Sequence, residues 1–348
     1  VGDGLRYEIG DFVSHINGYG GYAFKLTEEE SIAMADVVEQ FLAKREEERR
    51  RLRQRNQSAG VRIWAHRGCS YQYPENTLPA FRAACELPGI AGIELDIQLT
   101  RDGQLVVFHD ETVDRLMDAS GNLRDYTLAE LKNMHFKDWE QEHGAGEGHC
   151  VGACCTEGTE HGEESDGNLT MPMIPAMAEV LELVKPYAVE RGLRINIELK
   201  NSRVPYEGME EKILNLVKQY DMGAYVVYSS FNGESLKKLK MLDNTVETGI
   251  LKSDIVDCLG LAAEVRADAL HPNVDSIMEK DVVWGDGVER EMKQNVSWGG
   301  AAPLLTIRAW NSREPFYGQA KQYFVFNLCD LKQKGITDFI TNVPEEYL

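Results

Sequence analysis

Short apolar runs alternate with helical segments from residue 61 to residue 348, and eight such alternations predict an α/β fold of the TIM (β/α)8 barrel type. The competing α/β fold, a doubly wound open sheet, is disfavoured because no glycine-rich dinucleotide fingerprint follows the first apolar run. The chain has 348 residues, 43% of them hydrophobic, which allows one large core or two modest domains. We therefore predict one barrel domain over residues 61–348.

The apolar runs define the predicted strands, and the segments between them define the predicted helices. The strands are predicted at 62–65, 92–97, 193–200, 224–230, 246–251, 269–272, 304–310 and 338–341. A further extended piece at 105–108 follows the turn signature Thr100-Arg101-Asp102-Gly103 and runs back along the second strand. Helices are predicted at 78–87, 175–190, 207–220, 233–242, 254–265 and 277–294.

Residues 1–60 precede the barrel and form an N-terminal extension with an amphipathic helix predicted at 27–58. Thr27 is a suitable N-cap, and Glu30 completes a capping box. One apolar stripe follows, and then the run KREEERRRLRQR is charged on all sides. This pattern is typical of a solvated helix end. The alternative is a helix that packs on the barrel or on a second subunit, and packing on a second subunit would make the protein a homo-oligomer.

The insertion assigned to about residues 110–172 interrupts the alternation of strands and helices near the barrel mouth. Its segment 138–170 is rich in Gly, Glu, His and Cys and has almost no large apolar residues. Such a composition cannot bury an independent core. We expect a long loop there, either disordered or folded over the mouth, and its Cys and His spacing fits no standard zinc pattern.

The charge and the apolar runs limit the classes of partner. A net charge of −20 disfavours non-specific binding to nucleic acid or to an anionic membrane, since both need basic patches. No apolar run approaches the ~20 residues of a membrane span, so no stable membrane anchoring is expected. The first residues show no signal-peptide pattern, and seven scattered cysteines are typical of reduced thiols, so the predicted location is cytoplasmic.

Two predicted strands carry carboxylates on the face opposite to their apolar residues. Glu94 and Asp96 point the same way from the second strand, and Glu198 is placed likewise in the strand at 193–200. These side chains can converge at the C-terminal mouth of a barrel, where active sites of this fold lie. Because neighbouring carboxylates repel, the pattern favours one hard cation, Mg²⁺ or Ca²⁺. The alternatives are a solvated hairpin and, for Glu198, a simple ion pair with Lys200.

Two histidines and an arginine follow strands near these carboxylates. His66 and Arg67 end the first strand, and His109 follows the returning piece at 105–108. A pair of imidazoles facing a cation site is suited to acid–base chemistry near neutral pH. The guanidinium of Arg67 has the geometry to bind a phosphate oxygen.

These segments resemble the glycerophosphodiester phosphodiesterase family over about residues 61–348. The motifs, in family order, are HRG at 66–68, PENT at 74–77, ELD at 94–96, FHD at 108–110 and IELK at 197–200. Shorter similarities are MPMIPAMAEVL at 171–181, SSFN at 229–232, LHP at 270–272, Trp310-Asn311 and GITDFITNVP at 335–344. Several motifs in the correct order make the resemblance specific.

The resemblance implies a distorted TIM barrel that hydrolyses a small glycerophosphodiester to an alcohol and sn-glycerol 3-phosphate, with one divalent cation. It implies the following roles: metal ligands Glu94, Asp96 and Glu198; general acid and base His66 and His109, in either order; phosphate binding by Arg67 and Lys200; Glu75 and Asn76 as ligands or beside the ligands; and pocket walls Phe231 and Trp310.

Two other functions remain open at this level. The first is attack within a phospholipid to form a cyclic phosphate, as in sphingomyelinase D-like and phosphatidylinositol-specific phospholipase C-like barrels; the IELK carboxylate disfavours it. The second is a non-enzymatic binding module, which should have lost a ligand or a histidine. Two departures from the family pattern concern substrate choice: Asn342 stands where an acid is usual, and AWNSREPF replaces the usual continuation after the tryptophan.

Overall fold

The computed structural model describes residues 50–137, 172–279, 306–319 and 325–348, together with Gln40, Ala43, Lys44 and Glu47. The chain divides into two compact units, Val1–Arg55 and Asn56–Leu348. The proposed cap at Thr27 and much of the helix at 27–58 lie outside the described residues, and the described part of that helix ends at residue 57. The predicted domain boundary after residue 60 and the oligomer stay predictions.

Within the described residues, eight parallel strands close into a barrel, so the predicted TIM barrel is confirmed. The strands are β1 (Arg62–His66), β2 (Gly92–Leu99), β4 (Arg194–Leu199), β5 (Val226–Ser230), β6 (Glu247–Lys252), β7 (Ala269–Pro272), β8 (Thr306–Trp310) and β9 (Asp338–Thr341). Each pairs with the next, and β1 closes the ring by pairing with both β9 and β2. The short strand β3 (Leu105–Val107) runs antiparallel to β2 outside the ring, as the turn signature predicted.

Helices flank the strands, five of them at nearly the predicted positions. They are α1 (Leu78–Glu86), α2 (Leu128–Lys132), α3 (Met177–Arg191), α4 (Met209–Gln219), α5 (Gly233–Leu242), α6 (Ile255–Val265), α7 (Val274–Met278) and α8 (Leu328–Gln333). The short helices α2 and α8 were not predicted. The helix predicted at 277–294 differs: α7 begins at Val274, capped by the side chain of Asn273, and residues from 280 to 305 lie outside the described residues.

The main core lies between the strands and the helices, because strand side chains alternate between the two faces of the barrel wall. In β2, Ile93, Leu95 and Ile97 are fully buried in this core, which leaves Glu94 and Asp96 on the inner face. Gly92 begins the strand where any side chain would collide with the ring of Trp64, since a Cβ would lie 2.5 Å from it. The alternation therefore delivers the carboxylates to the interior.

The first part of the predicted insertion is not an extended loop. Residues 105–137 and the nearby Ile174 build a second, smaller hydrophobic cluster beside the barrel, which includes Val113, Met117, Leu123, Leu131 and Phe136. Helix α2 begins there with a complete capping box between Thr127 and Glu130. The low-complexity segment predicted at 138–170 lies outside the described residues. Among the described residues, no helix is both long and apolar enough to cross a membrane.

Candidate active site

Three carboxylates meet at the mouth of the barrel, at the C-terminal ends of β2 and β4. Oxygens of Glu94, Asp96 and Glu198 lie within 4.8 Å of one another, and all three residues are buried. The parallel pairing of β2 with β4 places Asp96 directly beside Glu198. Sequence alternation predicted this convergence, and the structure brings the three residues together.

The electrostatics of this cluster are those of a cation site. Burial and the adjacent Asp96 raise the pKa of Glu94 well above its usual range, and burial also raises the pKa of Glu198. Although burial opposes it, Arg67 holds the pKa of Asp96 below its usual range. The Oδ1 atom of Asp96 is buried and has no hydrogen-bond partner among the residues that the structure describes. An unsatisfied carboxylate oxygen beside two others fits a hard divalent cation such as Mg²⁺ or Ca²⁺.

Arg67, Glu75 and Asn76 surround Asp96 in a buried polar network. Arg67 donates from Nη1 to Glu75 Oε1 at 2.7 Å, and its Nε lies 3.1 Å from Asp96 Oδ2. Asn76 donates from Nδ2 to the same Asp96 oxygen at 2.9 Å. Glu75 therefore neutralises Arg67 and does not join the three-carboxylate cluster, while Asn76 orients Asp96. Both residues lie beside the three-carboxylate cluster.

Lys200 lies between two carboxylates of the cluster. Its Nζ is 2.9 Å from Glu198 Oε1 and 3.8 Å from Asp96 Oδ1. Burial lowers the pKa of Lys200, but the two carboxylates outweigh that effect and the net shift is upward. Lys200 is therefore a cation at the cavity rather than a solvated surface residue. The ion pair with Glu198 that the sequence left open is present, and it is part of the site.

A cavity of about 110 Å³ opens beside the cluster. Phe231 and Trp310 form part of its wall in an edge-to-face contact with ring centroids 6.5 Å apart. The full lining is Glu94, His109, Asn196, Glu198, Lys200, Phe231, Leu251, Trp310 and Ile340. A second cavity, of about 290 Å³, shares Phe231 but is lined by none of the three carboxylates or the histidines, so we place the chemistry in the smaller one.

His66 lies on the Glu94 side of the cluster and does not line this cavity. Its Nε2 is 3.8 Å from Glu94 Oε2, and its Nδ1 is 2.6 Å from Asn342 Oδ1. Burial and the neighbouring Arg67 lower the pKa of His66 to about 3. The ring is therefore neutral over the physiological range, with one nitrogen bound to an amide and the other close to the carboxylates.

His109 lines the cavity and has a charged partner. Its Nδ1 is 2.6 Å from Asp110 Oδ1, and Arg115 binds the other oxygen of that carboxylate from Nε at 2.6 Å. Gln98 holds the segment in place by donating from Nε2 to the carbonyl oxygens of Phe108 and Asp110. The two histidines thus occupy different environments, one beside a neutral amide and one beside a carboxylate.

A family profile described as the "Glycerophosphoryl diester phosphodiesterase family" matches residues 66–298. The match includes the three carboxylates and both histidines, and the site residues from Trp310 onward lie beyond it. The chain belongs to this family. The resemblance inferred from the sequence motifs and the interpretation of the chain as a phosphodiesterase are confirmed.

This phosphodiesterase matches two bacterial relatives over most of their length. A glycerophosphodiester phosphodiesterase of Caldanaerobacter subterraneus is 38% identical over 211 residues, which are 60% of this chain and 74% of the relative. One from Bacillus altitudinis is 34% identical over 225 residues, 64% of this chain and 80% of the relative. Glycerophosphodiester phosphodiesterase 1 of rat is 49% identical over a shorter stretch, about a fifth of each chain.

Solved structures show the same fold. A phosphodiesterase of Oleispira antarctica, in complex with the product sn-glycerol-3-phosphate, superposes with a TM-score of 0.57 and 24% identity, over 82% of this chain and 94% of that one. A glycerophosphodiester phosphodiesterase described for Galdieria sulphuraria gives the same TM-score at 21% identity, over 82% and 96%. These similarities support the barrel architecture of this phosphodiesterase.

Four residues of the site escaped the motif analysis. Arg115 donates to both oxygens of Glu75 and thereby links it to Asp110. Phe316 packs on His66, with ring centroids 5.8 Å apart, and on the guanidinium of Arg67 at 5.0 Å. Gln98 and Glu314 are buried polar residues that bind backbone groups near the histidines. Gln98 continues the inward-facing series of Glu94 and Asp96, and Glu314 and Phe316 lie in the segment AWNSREPF that departs from the family pattern, whereas no pattern pointed to Arg115.

Proposed function

We propose that the protein hydrolyses a small glycerophosphodiester to an alcohol and sn-glycerol 3-phosphate, with one divalent cation, Mg²⁺ or Ca²⁺, held by Glu94, Asp96 and Glu198. The observation that carries the proposal is the buried three-carboxylate cluster, which has an unsatisfied oxygen, with His66 beside Glu94 and His109 in the lining of the adjoining cavity. A bound cation polarises the phosphodiester and offsets the negative charge that develops in the transition state. The relatives named above as glycerophosphodiester phosphodiesterases support the same substrate class.

Arg67 and Lys200 are assigned to the phosphate. Both positively charged side chains lie next to Asp96: Arg67 Nε is 3.1 Å from its Oδ2, and Lys200 Nζ is 3.8 Å from its Oδ1. They are therefore close to the place proposed for the metal ion. A phosphodiester bound there would exchange part of their contact with carboxylates for charge-assisted bonds to its own oxygens. Phe231 and Trp310 would then contact the apolar surface of the glycerol or of the leaving alcohol, since their rings form one wall of the cavity.

We assign the roles of the two histidines from their environments, as part of the same proposal. His66 is neutral and has its Nε2 close to the cluster, so it is the base that removes a proton from the attacking oxygen. The Nδ1–H of His109 donates to Asp110, and this carboxylate compensates the positive charge that the ring carries when it is protonated. His109 is therefore the acid that protonates the departing alkoxide. Each such transfer is typically worth about 10²–10⁴ in rate.

Product analysis tests the proposal. Purified protein with Mg²⁺ or Ca²⁺ is expected to release sn-glycerol 3-phosphate from glycerophosphocholine or a related diester, and EDTA should abolish the reaction. His66→Ala and His109→Ala should each lose about 10²–10⁴-fold in kcat while retaining the thermal unfolding profile of a folded barrel.

Two controls make the result specific. His135→Ala changes an exposed histidine that is paired with Asp118, and it should leave kcat unchanged. A panel of lysophospholipids and sphingomyelin, analysed for cyclic phosphates, covers the alternative ring-forming reaction. Formation of a cyclic phosphate as the end product, or full activity in EDTA, would refute the hydrolytic, cation-dependent function.

A further inference from the structure

The residue that departs from the family pattern, Asn342, lies directly against a catalytic histidine. It follows β9, and its Oδ1 is 2.6 Å from Nδ1 of His66. The other departure, the segment after Trp310, folds over the same place: its carbonyl oxygens at Glu314 and Pro315 accept hydrogen bonds from Asn342 Nδ2 at 3.0 and 3.1 Å. The two sequence departures are therefore in direct contact.

These contacts determine which way the amide of Asn342 faces. A carbonyl oxygen only accepts hydrogen bonds, so the two carbonyls of the 314–315 segment require the NH₂ group of the amide. Rotating the amide by 180° would place its oxygen against both carbonyls. The amide oxygen is thus directed to His66, and an oxygen acceptor requires a hydrogen on the Nδ1 atom that faces it.

In a neutral imidazole, the nitrogen that carries the hydrogen determines that the other nitrogen carries the lone pair. With the hydrogen on Nδ1, the neutral ring of His66 carries its lone pair on Nε2, on the side of the carboxylate cluster. We propose that Asn342 is a positioning residue that holds His66 in the Nδ1–H tautomer and directs the Nε2 lone pair toward the substrate. The inference rests on the proposed function, because it explains how His66 is made ready to act as a base.

Glu314 keeps this arrangement in place from the other side. Its buried carboxylate accepts the backbone N–H of Asn342 and the hydroxyl of Thr341, both at 2.7 Å, and the hydroxyl of Tyr347 at 3.3 Å. Phe316 from the same segment covers the ring of His66. The segment after β8 therefore holds the backbone N–H and the side-chain NH₂ group of Asn342, and its Phe316 limits rotation of the imidazole.

Nitrogen NMR of histidine tests the proposal independently of activity. Full-length protein labelled with ¹⁵N-histidine is measured at neutral pH, and His66→Gln identifies the signals. Wild type should show Nδ1 protonated and Nε2 unprotonated. Asn342→Leu, which removes the acceptor, should lose this preference, and Asn342→Asp, whose protonated carboxyl keeps an acceptor oxygen for Nδ1 and a donor for the carbonyls of the 314–315 segment, should retain it.

Kinetics give the functional consequence. Asn342→Leu should lower kcat by about 10–10²-fold, within the range of one acid–base contribution, with little change in KM. Asn133→Leu is the matched control: the side chain of this exposed asparagine donates to the carbonyl of Ala129, away from the site, and the variant should have the kcat and KM of wild type.

Two outcomes would overturn the inference. One is a wild-type spectrum with His66 protonated on Nε2, which decides the matter even if Asn342→Leu fails to fold. The other is the same tautomer in the Leu and Asp variants. A wild type with the expected tautomer that releases no sn-glycerol 3-phosphate would contradict the proposed function and leave the tautomer assignment intact.

Discussion

The two ends of the barrel both bury charged side chains, but they neutralise them differently. At the N-terminal end, Arg308 is fully buried and its guanidinium stacks on Trp64. It contacts Nε2 of His271 at 2.7 Å. Its nitrogens lie 3.7 Å from an oxygen of Asp338 and 3.5 Å from an oxygen of Glu247. We call these five residues the basal cluster. Asp338 also binds Arg62 and the indole N–H of Trp64, so its charge is fully compensated.

At the C-terminal mouth, acids gather without enough partners. Burial and mutual repulsion raise the pKa of Glu94, and Asp96 has an oxygen with no hydrogen bond. This difference in charge compensation indicates that the cluster at the mouth is the functional one. The basal cluster satisfies its acids from within the chain, and its unsatisfied buried atoms, among the described residues, are nitrogens of Arg308 and His271, whereas those at the mouth include a carboxylate oxygen that an added cation could bind. This is the usual division between the two ends of a barrel.

The largest expected effect comes from removing one acid at the mouth. Glu94→Gln should lower kcat/KM by ~10³-fold or more, because the cation contributes several kcal/mol to transition-state stabilisation. In EDTA its melting temperature should equal or exceed that of wild type, since the change removes a repulsive buried charge. Steady-state kinetics and thermal unfolding measure the two effects.

Glu190→Gln, at an exposed position of α3, is the control and should change neither quantity. A large loss of stability in Glu94→Gln without cation would contradict the difference between the two ends of the barrel, because it would mean that the acids at the mouth also stabilise the fold.

The opposite result is expected at the basal cluster. Arg308→Met leaves Asp338 with one guanidinium fewer in a fully buried position and should cost about 3–5 kcal/mol in the free energy of unfolding. Activity below the unfolding temperature should be retained. Urea unfolding measures the loss, and Arg203→Met, which removes an exposed side chain near Glu111, should cost no more than about 1 kcal/mol. Equal losses in both variants would show that the basal cluster has no special role.

A smaller, pH-dependent effect is expected from Glu314. Burial raises its pKa from an ordinary 4.5 to about 7, so the folded protein binds this proton more tightly than the unfolded chain. Its contribution to stability is complete below pH 4.5 and is lost as the pH rises toward 7, by up to about 3 kcal/mol. Glu314→Gln should therefore lose less stability than wild type between pH 5 and 8. Melting temperatures across that range test this, and a slope equal to that of wild type would contradict it.

Strand alternation and motif order predicted much of this molecule. The positions of Glu94, Asp96 and Glu198 followed from period-two patterns in two apolar strands, and the barrel topology placed those strands side by side. His66 and His109 were found because they end strands that enter the mouth. These signals are local, so one sequence is enough to see them.

The supporting contacts were not predictable in the same way. Arg115 reaches Glu75 across 40 positions, and Asn342 reaches His66 across 276, through loops whose paths no periodicity describes. The composition of 138–170 predicted a loop for that segment alone, and no pattern predicted that apolar residues before it, such as Val113 and Met117, fold into a cluster of their own. The sequence identified Asn342 as unusual, but only the fold shows which side chain it contacts.

Two residues of the loop after β1 have a backbone conformation that side chains seldom adopt. Arg67 and Asn76 lie in the left-handed region, with φ of 57° and 58°, which costs roughly 1–2 kcal/mol for a residue that carries a Cβ. Glycine would relax this strain at either position, but it would remove the guanidinium or the amide that contacts Asp96. In this loop, a substitution that raises thermal stability would therefore lower catalytic activity. A search for heat-tolerant variants should leave Arg67 and Asn76 unchanged.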